Sequence, residues 1–235
     1  MKPLVATMRG MHMAINHQHT HDRSRSIMKL FYSPGASSLS AHIVLHEAGL
    51  AAELIRVDLE TKTLHATGQS YLSVNPMGKV PALELDNGEV LTEGLAVLQY
   101  LADLAPASQL APAEGAMARY RLAEVLSFVA TELHKGFAPM FDAEVPASYK
   151  RGLIADTRAF ERVASLVQPG PFVLGENFTI ADAHLYPILR LGRHAGLDFS
   201  HWPAVLRYMD EVAKRPSVRA AMQAEGLLED RHEGH

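Results

Sequence analysis

The dipeptide Val80-Pro81 has the most specific chemical meaning in the sequence. It stands at the start of a short β-prone run, Val80–Leu85. A cis Val80–Pro81 bond turns the backbone N–H and C=O of Val80 outward, where they can pair with a peptide-like ligand as an added strand does. A trans bond is the ordinary alternative, because only about 5–6% of X–Pro bonds in folded proteins are cis. The dipeptide alone leaves both alternatives open.

Cysteine is absent from the 235 residues, and this limits the chemistry available to the chain. Disulfides, thiolate metal sites and a cysteine nucleophile of the protein itself are excluded. A cluster of histidines near the N-terminus could bind a transition metal weakly through imidazoles: His12, His17, His19 and His21. Because no carboxylate or cysteine completes such a site, we predict no metal site.

Composition narrows the class of protein. The net charge is −4, with 20% charged and 48% hydrophobic residues. Such a chain is long enough to bury a sizeable core, and its weak acidity argues against binding to nucleic acid or to an anionic membrane. No run reaches the roughly 18 apolar residues of a transmembrane helix, and the N-terminus is a poor secretory signal. We expect a cytoplasmic protein.

The two ends of the chain differ from the rest. Residues 1–27 carry four basic residues and one acid, hence +3, so the remainder of the chain carries −4 − 3 = −7. No sustained helical or strand period occurs there. We expect a disordered extension, or a true start at Met28, and a flexible tail over residues 227–235.

Residues 28–106 show the pattern of a small α/β domain. The order is strand, helix, strand, followed after a long connection by two strands and a helix, which is βαβ and then ββα. Ser37 and Ser38 precede the first helix in N-cap position, and Asp86-Asn87-Gly88 is a hairpin signal. The predicted elements are Lys29–Ser33, Leu39–Ala48, Glu53–Asp58, Val80–Leu85, Glu89–Leu91 and Leu95–Ala105.

Residues 113–226 show only helical patterns. We predict helices Glu114–Phe141, Ser148–Val167, Ile180–Ala195, Pro203–Lys214 and Ser217–Ala224. Thr179 and Asp182 form a capping box, with Asp in place of Glu, and Phe178 can supply the hydrophobic staple. We interpret this box as structural.

These patterns, in this order, resemble the cytosolic glutathione S-transferases. The likeness runs from Met28 to about Gly226 and is closest to the bacterial beta class. It rests on Lys29–Ser40, Asn75–Pro81, Leu85–Gly88, Leu91–Gly94, Thr131–Phe137 and Thr179–Asp182. The resemblance implies a thioredoxin-like N-terminal domain followed by an all-helical domain, usually assembled as a homodimer.

The resemblance also implies a glutathione site. The family's cis-proline motif corresponds to Val80-Pro81, whose backbone pairs with the cysteinyl part of glutathione. Its Glu-Ser pair corresponds to Glu93-Gly94, where Glu93 receives the ammonium and the serine hydroxyl is lost. Lys62 and Lys79 border the site, and Lys62 is either an anchor for the glycyl carboxylate or a solvated loop lysine.

The thiol end departs from the beta class, because Ser37 stands where those enzymes carry a cysteine. A mechanism that uses a protein cysteine is excluded, and hydroxyl assistance remains. Ser37, Ser38 and Tyr32 are candidates to donate to the sulfur and favour its thiolate near the N-terminus of a helix. His134 aligns with a histidine that faces the site in the beta class, where it could donate to the sulfur or hold a bound water, and Lys135 beside it would hold anions.

The expected activity is the conjugation of glutathione to small hydrophobic electrophiles, as in detoxification. Phe137, Met140, Phe141 and Leu191 are candidates for the apolar wall that holds the electrophile. Loss of the cysteine and of the serine leaves open a non-catalytic carrier of glutathione or of a hydrophobic ligand. A glutathione-dependent isomerase or lyase is a further alternative, and so is an interaction module that uses only the fold.

Overall fold

The structure is a computed structural model that describes residues 27–228. The expectations for residues 1–26 and 229–235 lie outside this part of the chain. The described part contains a sheet domain followed by a helical domain, as the sequence predicts.

The N-terminal domain is a five-stranded sheet in the order β3-β2-β1-β4-β5. Its elements are β1 (Met28–Tyr32), α1 (Leu39–Ala48), β2 (Ala52–Asp58), β3 (Thr63–Leu64), β4 (Ala82–Glu84), β5 (Val90–Leu91) and α2 (Gly94–Leu104). β1 and β2 are parallel, with Leu30 opposite Leu54, and the other pairs are antiparallel. The βαβ and ββα units predicted from the sequence are therefore present, and β3 is an addition within the long connection.

The helical domain contains α3 (Met117–Phe128), a π-helical segment (Val129–His134), α4 (Lys135–Phe137), α5 (Ala147–Ala155), α6 (Arg158–Val167), α7 (Ile180–His194), α8 (Pro203–Ala213) and α9 (Pro216–Ala224). Two predicted long helices are interrupted. The hydroxyl of Thr131 donates to the Ser127 carbonyl (3.0 Å), a side-chain bond that competes with the α-helical ladder where the π segment lies. At the second interruption, the Asp156 carboxylate accepts a bond from the Arg158 backbone N–H (3.3 Å) and starts a new helix.

Helix α1 joins the two domains. It packs on α2 within the first domain and on α7 and α9 of the second. Its residues Leu39, Ala41, Ile43 and Val44 are buried in one core that extends into both domains. The loop before α1, which carries Ser37, is therefore fixed to both halves of the protein.

The capping box forms as predicted and begins α7. The Thr179 hydroxyl accepts from the Ala181 N–H (3.3 Å), while the Asp182 carboxylate accepts from the backbone N–H groups of Thr179 (2.9 Å) and Val173 (2.8 Å). The Tyr208 hydroxyl donates to the same carboxylate (3.3 Å). The Thr179 hydroxyl is a fourth donor to this carboxylate (3.1 Å). Burial raises the pKa of Asp182 to about 6, and the four donors favour the ionised form at neutral pH.

Candidate active site

A cleft of about 840 Å³ lies between the sheet domain and the π-helical segment of the helical domain. Eight of the ten residues that the sequence singles out for the site line it: Ser37, Lys62, Lys79, Val80, Pro81, Glu93, Gly94 and His134. Two do not, namely Tyr32 and Ser38.

The Val80–Pro81 bond at the floor of the cleft is cis. The chain just before this bond is held by two residues that the sequence reading did not select. The Tyr71 hydroxyl and the Asn75 amide both donate to the Lys79 carbonyl, each at 2.8 Å. Tyr71 is fully buried, and burial raises its pKa to about 12, so it stays a donor. The sequence analysis used Asn75 only as part of the stretch Asn75–Pro81 that carries the resemblance, and nothing in the local pattern pairs it or Tyr71 with Lys79.

Ser37 lies in the turn just before the N-terminus of α1 and lines the cleft. Its hydroxyl donates to the Val80 carbonyl over 3.4 Å, a long bond that a ligand can displace. The hydroxyl thus stands beside the backbone group that the resemblance assigns to the cysteinyl part of glutathione. Of the three hydroxyl candidates, it is the one that lines the cleft.

Ser38 and Tyr32 are turned into the protein. The Ser38 side chain is fully buried, accepts from the Ser33 N–H (3.2 Å) and donates to the Ser33 carbonyl (3.3 Å). Ser38 therefore holds the turn before α1. The Tyr32 ring packs near His42 in the core (6.0 Å between centroids), and burial raises the pKa of its hydroxyl, with a further contribution from Glu225. Their positions do not favour the direct role at the sulfur that the sequence reading allowed for them.

The turn that leads to Ser37 is anchored from the far end of the chain. The buried Glu225 carboxylate accepts from the Gly35 N–H (2.9 Å) and from the His42 Nδ1–H (3.0 Å). Sequence reasoning missed this residue because 190 positions separate it from Gly35 and no local pattern marks it. Its effect is to fix the loop on which the candidate hydroxyl sits.

Glu93 and Gly94 begin α2 at the edge of the cleft. Glu93 has a φ of +66°, a left-handed conformation that costs a non-glycine residue about 1–3 kcal/mol. Such strain is commonly retained at functional positions. A Cβ at Gly94 would meet the Pro81 ring at an ordinary 3.6 Å, so packing alone does not exclude a larger residue there.

The cleft is predominantly cationic. Lys62, Lys79 and Lys135 line it, and Glu93 is the one acid among its lining residues. Lys62 has a φ of +57°, and its Cδ would lie 2.9 Å from a Cβ at Gly78. Because glycine has no Cβ, the Lys62 side chain can pass directly over position 78.

His134 lies at the end of the π-helical segment and faces this cleft. Burial lowers its pKa, and the nearby Lys79 charge lowers it further, so its imidazole is neutral at pH 7. Behind it, His184 of α7 is almost fully buried, and its Nδ1 lies 3.3 Å from the Ser40 hydroxyl. Burial lowers the pKa of His184 to about 3, and its Nε2 has no hydrogen-bond partner among the described residues.

No group of three or more His, Cys, Asp or Glu side chains in the described part of the chain is arranged to hold a metal ion. None of the helices in residues 27–228 is both long and apolar enough to cross a membrane.

Comparison with known sequences decides the family. Residues 36–104 match the glutathione S-transferase N-terminal domain, and residues 128–216 match the glutathione S-transferase C-terminal domain. The chain belongs to the glutathione S-transferase family. Glutathione S-transferase GstA of Escherichia coli O157:H7 is 43% identical over 201 residues, which cover 85% of this chain and 100% of GstA.

Solved structures agree with this assignment. A ternary complex of BphK, a bacterial glutathione transferase, superposes with a TM-score of 0.82 at 44% identity, covering 85% of this chain and 100% of BphK. A sphingomonad glutathione S-transferase complexed with glutathione gives a TM-score of 0.80 at 43% identity, with the same two coverages. More distantly, a maleylacetoacetate isomerase of Pseudomonas aeruginosa is 28% identical over 209 residues, covering 84% of this chain and 96% of that enzyme.

Proposed function

We propose that this transferase binds glutathione in the cleft, favours its thiolate through Ser37, and conjugates it to small hydrophobic electrophiles. The observation that carries the proposal is the convergence on one cleft of the Ser37 hydroxyl, the Val80 backbone and the Glu93 carboxylate. Three chemically different parts of glutathione require these three kinds of group.

Binding follows from the charges of the tripeptide. The γ-glutamyl ammonium pairs with Glu93, and the adjacent carboxylate accepts from backbone N–H groups at the start of α2. The cysteinyl residue pairs with the Val80 backbone as an added strand does. Lys62 and Lys79 attract the glycyl carboxylate, and no metal takes part.

Catalysis requires the thiolate, because a thiol of pKa about 8.5 is mostly protonated at neutral pH. The Ser37 hydroxyl donates to the sulfur, and the N-terminal end of α1 and the Lys135 ammonium favour the negative charge. Neutral His134 supplies a further N–H donor. The thiol proton is released to solvent when the thiolate forms. The sulfur electron pair then forms a bond to the electrophilic carbon, and the leaving group departs with the bonding pair.

The electrophile is expected beside the sulfur on an apolar wall. Leu59, Leu95, Phe141 and Leu191 line the cleft, together with Ala130 and Ala138. Phe141 and Leu191 were expected there from the sequence. Phe137 and Met140 instead line a second cavity, on the other side of the π-helical segment, so they do not belong to this wall.

A second candidate is a glutathione-dependent isomerase. It is favoured by the similarity to maleylacetoacetate isomerases, which is weaker than the similarity to transferases. A carrier that binds glutathione without turnover is the remaining alternative, since one family hydroxyl is absent at Gly94. Cytoplasmic location and a homodimer are parts of the proposal that rest on the family resemblance.

Steady-state kinetics with chlorodinitrobenzene and glutathione test the proposal. Replacing Glu93→Gln removes the charged partner of the ammonium and raises the KM for glutathione at least about tenfold. The matched control is Glu89→Gln, an exposed hairpin residue that does not line the cleft, which leaves KM unchanged. Binding without turnover would indicate the carrier. Turnover of maleylacetoacetate without conjugation would indicate the isomerase, and equal KM values for the two variants would contradict the assigned site.

A further inference from the structure

A second cavity of about 450 Å³ lies in the helical domain, on the opposite side of the π-helical segment from the catalytic cleft. Its residues alternate with those of the cleft along one stretch of chain. Ala130, His134 and Ala138 line the cleft, whereas Thr131, Glu132 and Gly136 line this second space, which we call the back cavity. The proposed conjugation mechanism uses none of its lining residues.

The interior of the back cavity is aromatic. Phe137 and Phe160 are buried and nearly parallel, with ring centroids 6.1 Å apart and an interplanar angle of 20°. The rest of the apolar lining is supplied by Phe128, Met140, Leu153, Ala159 and Leu197. A cavity of this size and lining is suited to a small organic molecule with a flat apolar body.

The rim of the back cavity has an excess of negative charge. It holds two carboxylates, Glu132 and Asp156, and one guanidinium, Arg158, which gives −2 + 1 = −1. Asp156 and Arg158 neutralise each other through two bonds, at 2.9 and 2.5 Å. Lys150 lies outside the lining residues and donates to the Met140 carbonyl (3.4 Å). Among the described residues, the Glu132 carboxylate forms no ion pair, although its charge helps to raise the pKa of Arg158. Its one hydrogen-bond donor among them is the Thr131 hydroxyl (3.0 Å), whose single proton is shared with the Ser127 carbonyl.

We propose that the back cavity binds a small organic cation with an aromatic body, its rings against Phe137 and Phe160 and its positive charge beside Glu132. The aromatic faces also favour a cation near the rim. This preference is opposite to that of the catalytic cleft, whose lining carries three lysines and one glutamate. The inference does not depend on the binding of glutathione.

Gly136 offers a direct way to fill the back cavity. It lies within α4, and a Cβ built there meets no atom within 4 Å. Gly136→Leu therefore places a side chain in the cavity without an initial clash and with a better helix former. The matched control is Gly152→Leu in α5, where a Cβ also meets nothing within 4 Å and which does not line the cavity.

Calorimetric titration of the full chain with naphthylmethylamine, and with its anionic counterpart naphthylacetate, tests the proposal. Each ligand can also bind elsewhere on the chain. We therefore assign to the back cavity only the binding that is lost in Gly136→Leu. We expect the amine to lose at least about tenfold in affinity in Gly136→Leu and none in Gly152→Leu. Glu132→Gln is expected to weaken amine binding about three- to fivefold, as loss of one partly exposed ion pair does, and Glu144→Gln to leave it unchanged.

Three results would overturn the proposal. In the first, the amine fails to bind at millimolar concentration. In the second, its affinity is unchanged in Gly136→Leu. In the third, naphthylacetate binds as strongly as the amine and its binding is also lost in Gly136→Leu. Circular dichroism of each variant separates loss of binding from loss of folding. If Gly136→Leu fails to fold, Gly136→Ala and Glu132→Gln carry the test, because graded loss of amine binding is then expected and its absence contradicts the inference.

Discussion

Ser37 and Ser38 are adjacent hydroxyls with different surroundings. Ser38 is fully buried and bonded to the backbone of Ser33, whereas Ser37 lines the cleft and donates over 3.4 Å to the Val80 carbonyl. Sequence spacing selects both, since either can precede a helix as a cap. Only the path of the turn, anchored by Glu225 from the other end of the chain, determines which of them faces a ligand.

The buried His184 is expected to make the stability of the fold depend on pH. Its ordinary pKa is 6.5 and burial lowers it to about 3 in the folded state, so the unfolded chain binds the proton first. Above about pH 6.5 the ring is neutral in both states, and the free energy of unfolding keeps its full value. As the pH falls toward 3, the free energy of unfolding decreases by up to about 1.4 kcal/mol per pH unit. Urea unfolding at pH 6.5 and 4.5 measures this loss.

In His184→Gln this part of the pH dependence is expected to disappear. Asp182 titrates in both proteins, so its contribution cancels in the comparison. His65→Gln, at an exposed position, is the matched control and keeps the wild-type pH dependence. Equal losses of stability in wild type and His184→Gln would show that the ring is not held neutral by burial.

At the scale of elements, the loop between β3 and β4 is expected to require glycine at position 78 for two reasons. Gly78 has a φ of +59°, and a Cβ there would approach Lys62 Cδ to 2.9 Å and Leu72 Cδ2 to 3.2 Å. Gly78→Ala is expected to destabilise the fold by about 1–2 kcal/mol for its backbone alone and to displace Lys62 as well. Urea unfolding and the KM for glutathione measure the two effects.

Gly68→Ala separates the two causes. Gly68 has a φ of +69°, and a Cβ there meets nothing within 4 Å, so this variant carries the backbone strain alone. We expect it to lose stability while its KM for glutathione stays at the wild-type value. If Gly78→Ala bound glutathione as well as Gly68→Ala, the expectation that displacement of Lys62 weakens glutathione binding would be contradicted.

The sequence predicted those elements that depend on local pattern. The βαβ and ββα units, the hairpin at Asp86–Gly88 and the Thr179–Asp182 capping box all follow from residues within a few positions of one another. The π-helical segment did not follow, because the helical pattern of residues 114–141 runs through it without a break, and a bond such as that from the Thr131 hydroxyl to the Ser127 carbonyl is not visible in the pattern. The support of Lys79 by Tyr71 and Asn75 was also missed, since those contacts form only after the loop has folded.

At the scale of the whole molecule, apolar side chains are exposed where the two domains meet. Leu104, Met117 and Tyr120 are 45%, 70% and 62% exposed. Arg119 pairs with Asp103 through two bonds of 3.0 Å, which bring the end of α2 and the start of α3 together near these side chains. A contiguous patch of exposed apolar groups marks an association surface in soluble proteins, and the family resemblance implies a homodimer.

We therefore expect a homodimer that Tyr120→Glu weakens. Light scattering after size-exclusion chromatography is expected to give the mass of two chains for the wild type and a mass that falls with dilution for the variant. Tyr149→Glu introduces the same charge at another exposed tyrosine, 58% exposed on α5, and is expected to remain a dimer. A single-chain mass for the wild type at every concentration would contradict the expectation.

The central claim is that Ser37 favours the thiolate of bound glutathione, and ultraviolet thiolate absorbance tests it most directly. The chain contains no cysteine, so glutathione is the only thiol in the sample. We predict that titration of glutathione into the wild type near neutral pH produces a thiolate band with an apparent pKa below the free value of about 8.5. In Ser37→Ala this band is expected to be lost while calorimetric binding persists, and in the exposed control Ser73→Ala it is retained. A band of equal size and apparent pKa in Ser37→Ala would contradict the account, as would glutathione binding to the wild type without any thiolate.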